Sequence, residues 1–203
     1  ADVANLRTAV AEVCSAAAKV YLSHGDVATA EEQLRVAIDH DPDLAEPRRV
    51  LLWLYQKQGR TDEALGEAAV LAEKATEDPA VCMSLGEFYT QFRMFDEAEQ
   101  AYRKLVDIAP HQVGGYMALA GLYLQANRKL PEARALALKA VELEPLAPHY
   151  ALLASACRMA GDGAGALAAI EQAVARDPQN QEYRRLHQVI EKEHADATPR
   201  VGP

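Results

Sequence analysis

A fixed step of 34 residues governs this sequence. Tyr21, Tyr55, Tyr89 and Tyr123 stand 34 residues apart, and Cys157 takes the next place. Ala30, Ala64 and Ala98 keep the same step, and Ala133 and Ala166 follow it to within a residue. Gly25-Asp26 and Gly59-Arg60 repeat it too. Pro42, Pro110, Pro145 and Pro178 mark the ends of units, with Thr76 standing where one proline is missing. Self-similarity at such a period means an array of small units, none of which can bury its apolar face alone. The units read 11–44, 45–78, 79–112, 113–146 and 147–180. The fourth carries one extra residue in its internal turn, around Lys129-Leu130-Pro131.

Each unit holds two stretches of about a dozen residues with helical apolar spacing, and no window alternates as a strand would. In the first unit Val13, Ala17, Val20 and Tyr21 form one stripe, and Leu34, Ala37 and Ile38 another. Gly25, Gly59 or Gly161 breaks the chain between them, with an acid near the next helix start. Asp62 and Asp96 suit an N-cap, where a carboxylate accepts the free amides of the first turn. Ala18, Gly86, Ala120 and Ala154 on the first helices face Ala30, Ala98, Ala133 and Ala166 on the second. Side chains this small let two helices approach closely. The terminal prolines, which lack an amide and restrict the residue before them, end each second helix. Residues 181–194 read as a further amphipathic helix, with Tyr183, Leu186, Val189 and Ile190 on one side. Residues 195–203 lack periodicity and are expected to fray as a flexible tail. Residues 1–10 run into the first helix without a break, either as a longer helix or as the remainder of an upstream unit.

The clearest copy, Leu85-Gly86, Tyr89, Ala98, Tyr102 and Pro110, resembles the tetratricopeptide repeat (TPR) family, and the likeness extends over about five-sixths of the chain. The resemblance implies an all-α fold: a right-handed superhelical solenoid of about five helix-turn-helix repeats with a C-terminal capping helix, one domain over 1–194. Two departures stand out. The early position where the family usually has Trp holds Cys14, Arg48, Cys82, Tyr116 and Tyr150. The second unit has Leu52 and Leu71 where small residues are usual, which predicts local distortion.

The resemblance also implies that the first helices line a concave groove. The residues expected to meet a partner there are Lys19, Arg49, Trp53, Met83, Glu87, Met117, Gly121, Leu124 and Arg158. Trp53, the only tryptophan, is expected on this face as an anchor, because a half-exposed indole offers large apolar area and one N–H donor. The alternative is that it fills space against Leu22 or Met83. Met83, Met117 and Leu124 would make an adaptable apolar wall, with Gly114, Gly115 and Gly121 lowering the groove floor. Lys19, Arg49 and Arg158 would be polar grips. Glu46 and Glu87 could equally neutralise their neighbours. Asn is absent from the groove positions, so the carboxylate clamp by which some TPR modules grip chaperone tails is not expected.

Thirty acids against 21 Lys+Arg give a net charge of −9, the wrong sign for a phosphate-reading surface, so nucleic acid is not expected as a partner. No apolar run approaches the roughly 20 residues of a membrane span. Cys14, Cys82 and Cys157, odd in number and set among apolar residues, read as buried reduced thiols rather than a disulfide framework. They point to a cytoplasmic chain, with a periplasmic one after signal removal as the alternative. His187, Glu191 and His194 share one helix face at steps that could hold a zinc or nickel ion, but nothing else completes a site, so no metal is expected. Gly161-Asp162-Gly163-Ala164-Gly165 follows a helix rather than a strand and lacks a following Lys, so it reads as a turn and not a phosphate cradle. The expectation is a non-catalytic scaffold without a cofactor, binding a peptide or partner-protein segment in its groove. The alternative is a structural module that self-associates into a homo-oligomer, as a region of a larger protein.

Overall fold

The computed structural model describes residues 3–74 and 77–197, and among these there are eleven α-helices and no strand. The chain divides into two compact units, residues 1–92 and 93–203. The first holds α1 (Val3–Ser23), α2 (Val27–His40), α3 (Ala45–Gln58), α4 (Thr61–Lys74) and α5 (Pro79–Gln91). The second holds α6 (Phe95–Ile108), α7 (Val113–Gln125), α8 (Leu130–Leu143), α9 (Ala147–Met159), α10 (Gly163–Arg176) and α11 (Gln181–Ala197). Within the first unit α1 packs on α2, α2 on α3, α3 on α4, and α5 on both α3 and α4. Within the second each helix packs on the next, and α7 also meets α9. This layering of short antiparallel helices belongs to the all-α repeat-solenoid class.

Turn chemistry follows the repeat. Gly25, Gly59 and Gly161 have φ of +79°, +70° and +80°. The same left-handed turn is made at the same step by Arg93 (φ 59°) and Asn127 (φ 49°), which carry no glycine signal. The extra residue of the fourth unit appears as a second left-handed residue, Lys129 (φ 50°), just before α8. Each second helix with a following proline stops two residues short of it: α2 before Pro42, α6 before Pro110, α8 before Pro145 and α10 before Pro178. The Thr76 position lies outside the described residues.

The acids expected to cap α4 and α6 do not do so. Thr61 and Phe95 are already helical, so Asp62 and Asp96 stand in the first turn, where their charge complements the free amides of the helix start. The carboxylate caps are instead Asp26 on the amide of Thr29, Asp78 on that of Ala80 and Asp162 on that of Gly165, at 2.8–3.2 Å.

The small residues lie in the core as expected: Ala18, Ala30, Ala98, Ala120, Ala133, Ala154 and Ala166 are fully buried, and Gly86 is buried. Leu52 and Leu71 are also taken wholly inside, and the early position of that repeat is filled by an ion pair, Arg48 to Glu67 at 3.0 Å. Gly115 does not lower a groove floor. A Cβ there would stand 3.1–3.2 Å from the side chains of Val106 and Leu105, so its task is the close approach of α6 to α7. α11 extends three residues past the expected cap, to Ala197; the rest of the expected tail, 198–203, lies outside the described residues.

The stripe of α1 departs most from expectation. Val13, Val20 and Tyr21 are exposed, at 68%, 57% and 38%. Their counterparts Pro47, Leu54 and Tyr55 on α3 are buried, as are Gly115, Leu122 and Tyr123 on α7. The reason is positional. α2 packs on α3 and α6 on α7, and no described helix precedes α1.

Two polar clasps join successive helices. In the first unit the Glu31 carboxylate of α2 accepts from Arg60 (2.6 Å), Arg35 (2.7 Å) and the Tyr55 hydroxyl (3.2 Å). In the second, Glu99 of α6 accepts from Arg103 (2.8 Å), the Tyr123 hydroxyl (2.9 Å), Arg128 (3.0 Å) and Lys129 (2.5 Å). Glu31, Arg35, Tyr55 and Arg60 correspond to Glu99, Arg103, Tyr123 and Arg128 at two repeats; Lys129 is an addition of the second set, where the first has Thr61. Arg134 and Asp162, 3.4 Å apart, make a charge-reversed version one repeat further on.

Candidate functional site

Two adjoining recesses open on the first-helix side of unit 1, where α3 lies against α5. One, of about 290 Å³, is lined by Arg49, Val50, Trp53, Gln56, Ser84 and Glu87, with Leu52. The other, of about 500 Å³, shares Trp53, Gln56 and Glu87 and adds Lys57 and Gln91. Helical spacing explains the arrangement. Arg49, Trp53 and Gln56 fall at steps of four and three on one face of α3, while Leu51, Leu54 and Tyr55 turn into the core. Ser84, Glu87 and Gln91 fall at steps of three and four on α5, beside the buried stripe of Val81, Leu85 and Phe88. Trp53 is 49% exposed, neither sealed into the core nor clear of its neighbours. The Gln56 amide donates to the side-chain oxygen of Gln91, tying the two helices at the edge of the larger recess.

Of the two alternatives for the front cations, free grips or pairing with a neighbouring glutamate, the structure shows pairing with Glu46. Lys19 of α1 stands 2.5 Å from Glu46, and Arg49 donates to the same carboxylate at 2.5 and 2.9 Å. Burial works to raise the Glu46 carboxyl, but the bonds from Lys19 and Arg49 overcome it and hold it below its usual range. One glutamate is therefore shared by both front grips, which leaves one positive charge in excess over the carboxylate. Glu87 is exposed and, among the described residues, has no ionic partner. Met83 is half-buried one turn before Glu87 on α5 and does not line either recess.

In unit 2, Met117, Gly121 and Leu124 lie half-buried on α7. Leu124 and Leu152 pack against the Ala120, Ala137 and Ala156 cluster, so part of the expected apolar wall is committed to the core. A Cβ at Gly121 would meet nothing within 4 Å, leaving open space at its surface. Arg158 of α9 is bound to Glu193 of α11 at 2.9 Å. All three expected cationic grips thus carry a carboxylate of their own chain. Burial, reinforced by the Asp162 charge, pushes the Cys157 thiol up, away from thiolate chemistry. Among the described residues no group of three His, Cys, Asp or Glu is placed to hold a metal ion, and none of the helices is long and apolar enough to cross a membrane.

Three family models, each described as tetratricopeptide repeat, match residues 21–87, 79–112 and 118–182. The chain is a tetratricopeptide repeat protein. No curated protein matches it significantly. Solved structures match this TPR chain at low identity. A tetratricopeptide repeat protein from Parabacteroides merdae is 17% identical with a TM-score of 0.76, covering 92% of this chain and 74% of its own. PilF of Pseudomonas aeruginosa is 19% identical with a TM-score of 0.73, covering 94% and 89%. YrrB, described as a TPR protein with an unusual peptide-binding site, is 15% identical with a TM-score of 0.71, covering 86% and 88%. At these identities the likeness speaks for the fold. The family to which the chain belongs commonly serves as protein-interaction scaffolds.

Proposed function

We propose that this TPR chain is a non-catalytic interaction module that holds a peptide or partner-protein segment on its first-helix face, with Trp53 as the anchor. One observation carries the reading: the single tryptophan is half-exposed in a recess rimmed by polar side chains. An indole so placed loses water from a large apolar surface when a partner covers it, while its N–H remains available to a partner acceptor. The binding segment would be extended or helical, laid along α3 and α5. Met83 remains a proposed contact in the first unit, and Met117, Gly121, Leu124 and Arg158 remain proposed partner contacts within the second unit taken by itself. YrrB's peptide-binding site supports the reading by analogy of fold.

The test is a pull-down with wild-type chain and Trp53→Ala, followed by titration of the recovered partner. Trp53→Ala is expected to weaken binding about tenfold or more, as truncation of a central aromatic anchor does. Unchanged affinity removes Trp53 from the site.

A second reading is favoured by a different observation. The exposed stripe of α1 sits at positions buried on α3 and α7, and covering it with a helix of a second copy would make the chain a self-associating module.

A further inference from the structure

The ionic state of the recess narrows the chemistry of what it binds. Lys19 and Arg49 are already held at one carboxylate, Glu46, so an acidic partner would have to displace an existing pair to reach them. Glu87 has no such pair among the described residues, and it lines both recesses beside the exposed indole of Trp53. Two other ionic groups line the recesses: Arg49, held on Glu46, in the smaller, and Lys57, an exposed side chain, in the larger. The Gln56 amide N–H₂ is engaged by Gln91, which leaves its carbonyl oxygen as an acceptor, and Ser84 adds a hydroxyl. With the Arg49 guanidinium committed to Glu46, the groups the smaller recess leaves open are acceptors and a π face, and the chain as a whole carries a net charge of −9.

We infer that the recess selects a basic peptide segment, with a Lys or Arg side chain lying across the Trp53 indole and its cation on Glu87. This rests on the groove reading above and specifies its ligand. The stem of a long basic side chain covers apolar ring surface while its head stays at the rim, and the indole face attracts a cation. A charge-assisted hydrogen bond to a carboxylate fixes the head. The acidic excess of the chain speeds the approach of such a segment and slows that of an acidic one.

The experiment uses the whole chain and three blocked peptides of one framework, carrying Arg, Glu or Gln at the central positions, followed by Trp53 emission and by calorimetry. The Arg peptide is expected to bind tightest, to weaken as salt is raised, and to lose about tenfold in affinity with Glu87→Gln. Glu87→Arg is expected to move the preference to the Glu peptide. Position 87 is exposed, so both variants should keep the helical signal of the wild type. The inference fails if the Glu or Gln peptide binds as well as the Arg peptide. It fails equally if Lys57→Ala rather than Glu87→Gln changes the affinities. Failure of the groove reading itself has a different signature: none of the three peptides binds, or Trp53→Ala binds the Arg peptide as the wild type does.

Discussion

A left-handed residue recurs every 34 positions, and three of its five occurrences are glycine. At Gly59 an added Cβ meets nothing within 4 Å, so the cost of a side chain there is backbone strain and nothing else. Gly59→Ala is expected to lower stability by about 1 kcal/mol, read as a shift of the urea midpoint at unchanged slope. Arg93 and Asn127 bear the same strain and were not legible in advance, because neither residue type demands the conformation; the periodic placement alone would have found them. The binding face shows the same division. Trp53, Arg49 and Glu87 were readable as groove positions from the resemblance to the TPR family. That Glu46 takes both Lys19 and Arg49 depends on how α1 and α3 meet, which spacing within one helix does not encode.

Between elements, the Glu31 and Glu99 clasps decide how one repeat's second helix seats on the next first helix. Burial works to raise the Glu99 carboxyl, but Lys129, Arg103 and the Tyr123 hydroxyl outweigh it and hold the group down at about 2. Burial, with the Glu99 charge behind it, pushes the Tyr123 phenol up to about 12. A carboxyl depressed in the folded state contributes stability above its ordinary value of 4.5, and that contribution fades as pH falls toward about 2, because the unfolded chain takes the proton first. Glu99→Gln is expected to cost about 2 kcal/mol at neutral pH, since it leaves several donors short of a charged acceptor. The difference from wild type should shrink between pH 4.5 and 2, followed by denaturation at a series of pH values. A constant difference across that window would remove Glu99 as the source. The clasp was latent in the sequence as a recurrence at twice the repeat step, Glu31, Arg35, Tyr55 and Arg60 against Glu99, Arg103, Tyr123 and Arg128. Single-repeat comparison hides it, because the intervening copy replaces Glu31, Arg35 and Arg60 with Leu65, Ala69 and Met94.

At the scale of the whole molecule, the repeat leaves α1 with an apolar face that its counterparts bury. Fully burying a valine side chain is worth about 1.5–3 kcal/mol, so Val13 and Val20 make this face a place where a second helix gains by docking. If a second copy supplies that helix, light scattering should show mass rising with concentration for the wild type, and Val20→Glu should hold the chain at monomer mass. A wild type that stays monomeric at every concentration sinks the self-association reading and leaves the groove reading untouched. The sequence by itself determined the helices, their order and most of their ends, because turn residues, small residues and prolines act through local sterics that recur with the period. It also set the family and the side of each first helix on which a partner would be sought. Only the tertiary structure decided which faces are covered and which charges are already satisfied, because both depend on the helix that lies next door: α2 over α3 but no preceding described helix over the Val13–Val20 stripe of α1, Glu46 between two cations but Glu87 beside an open indole.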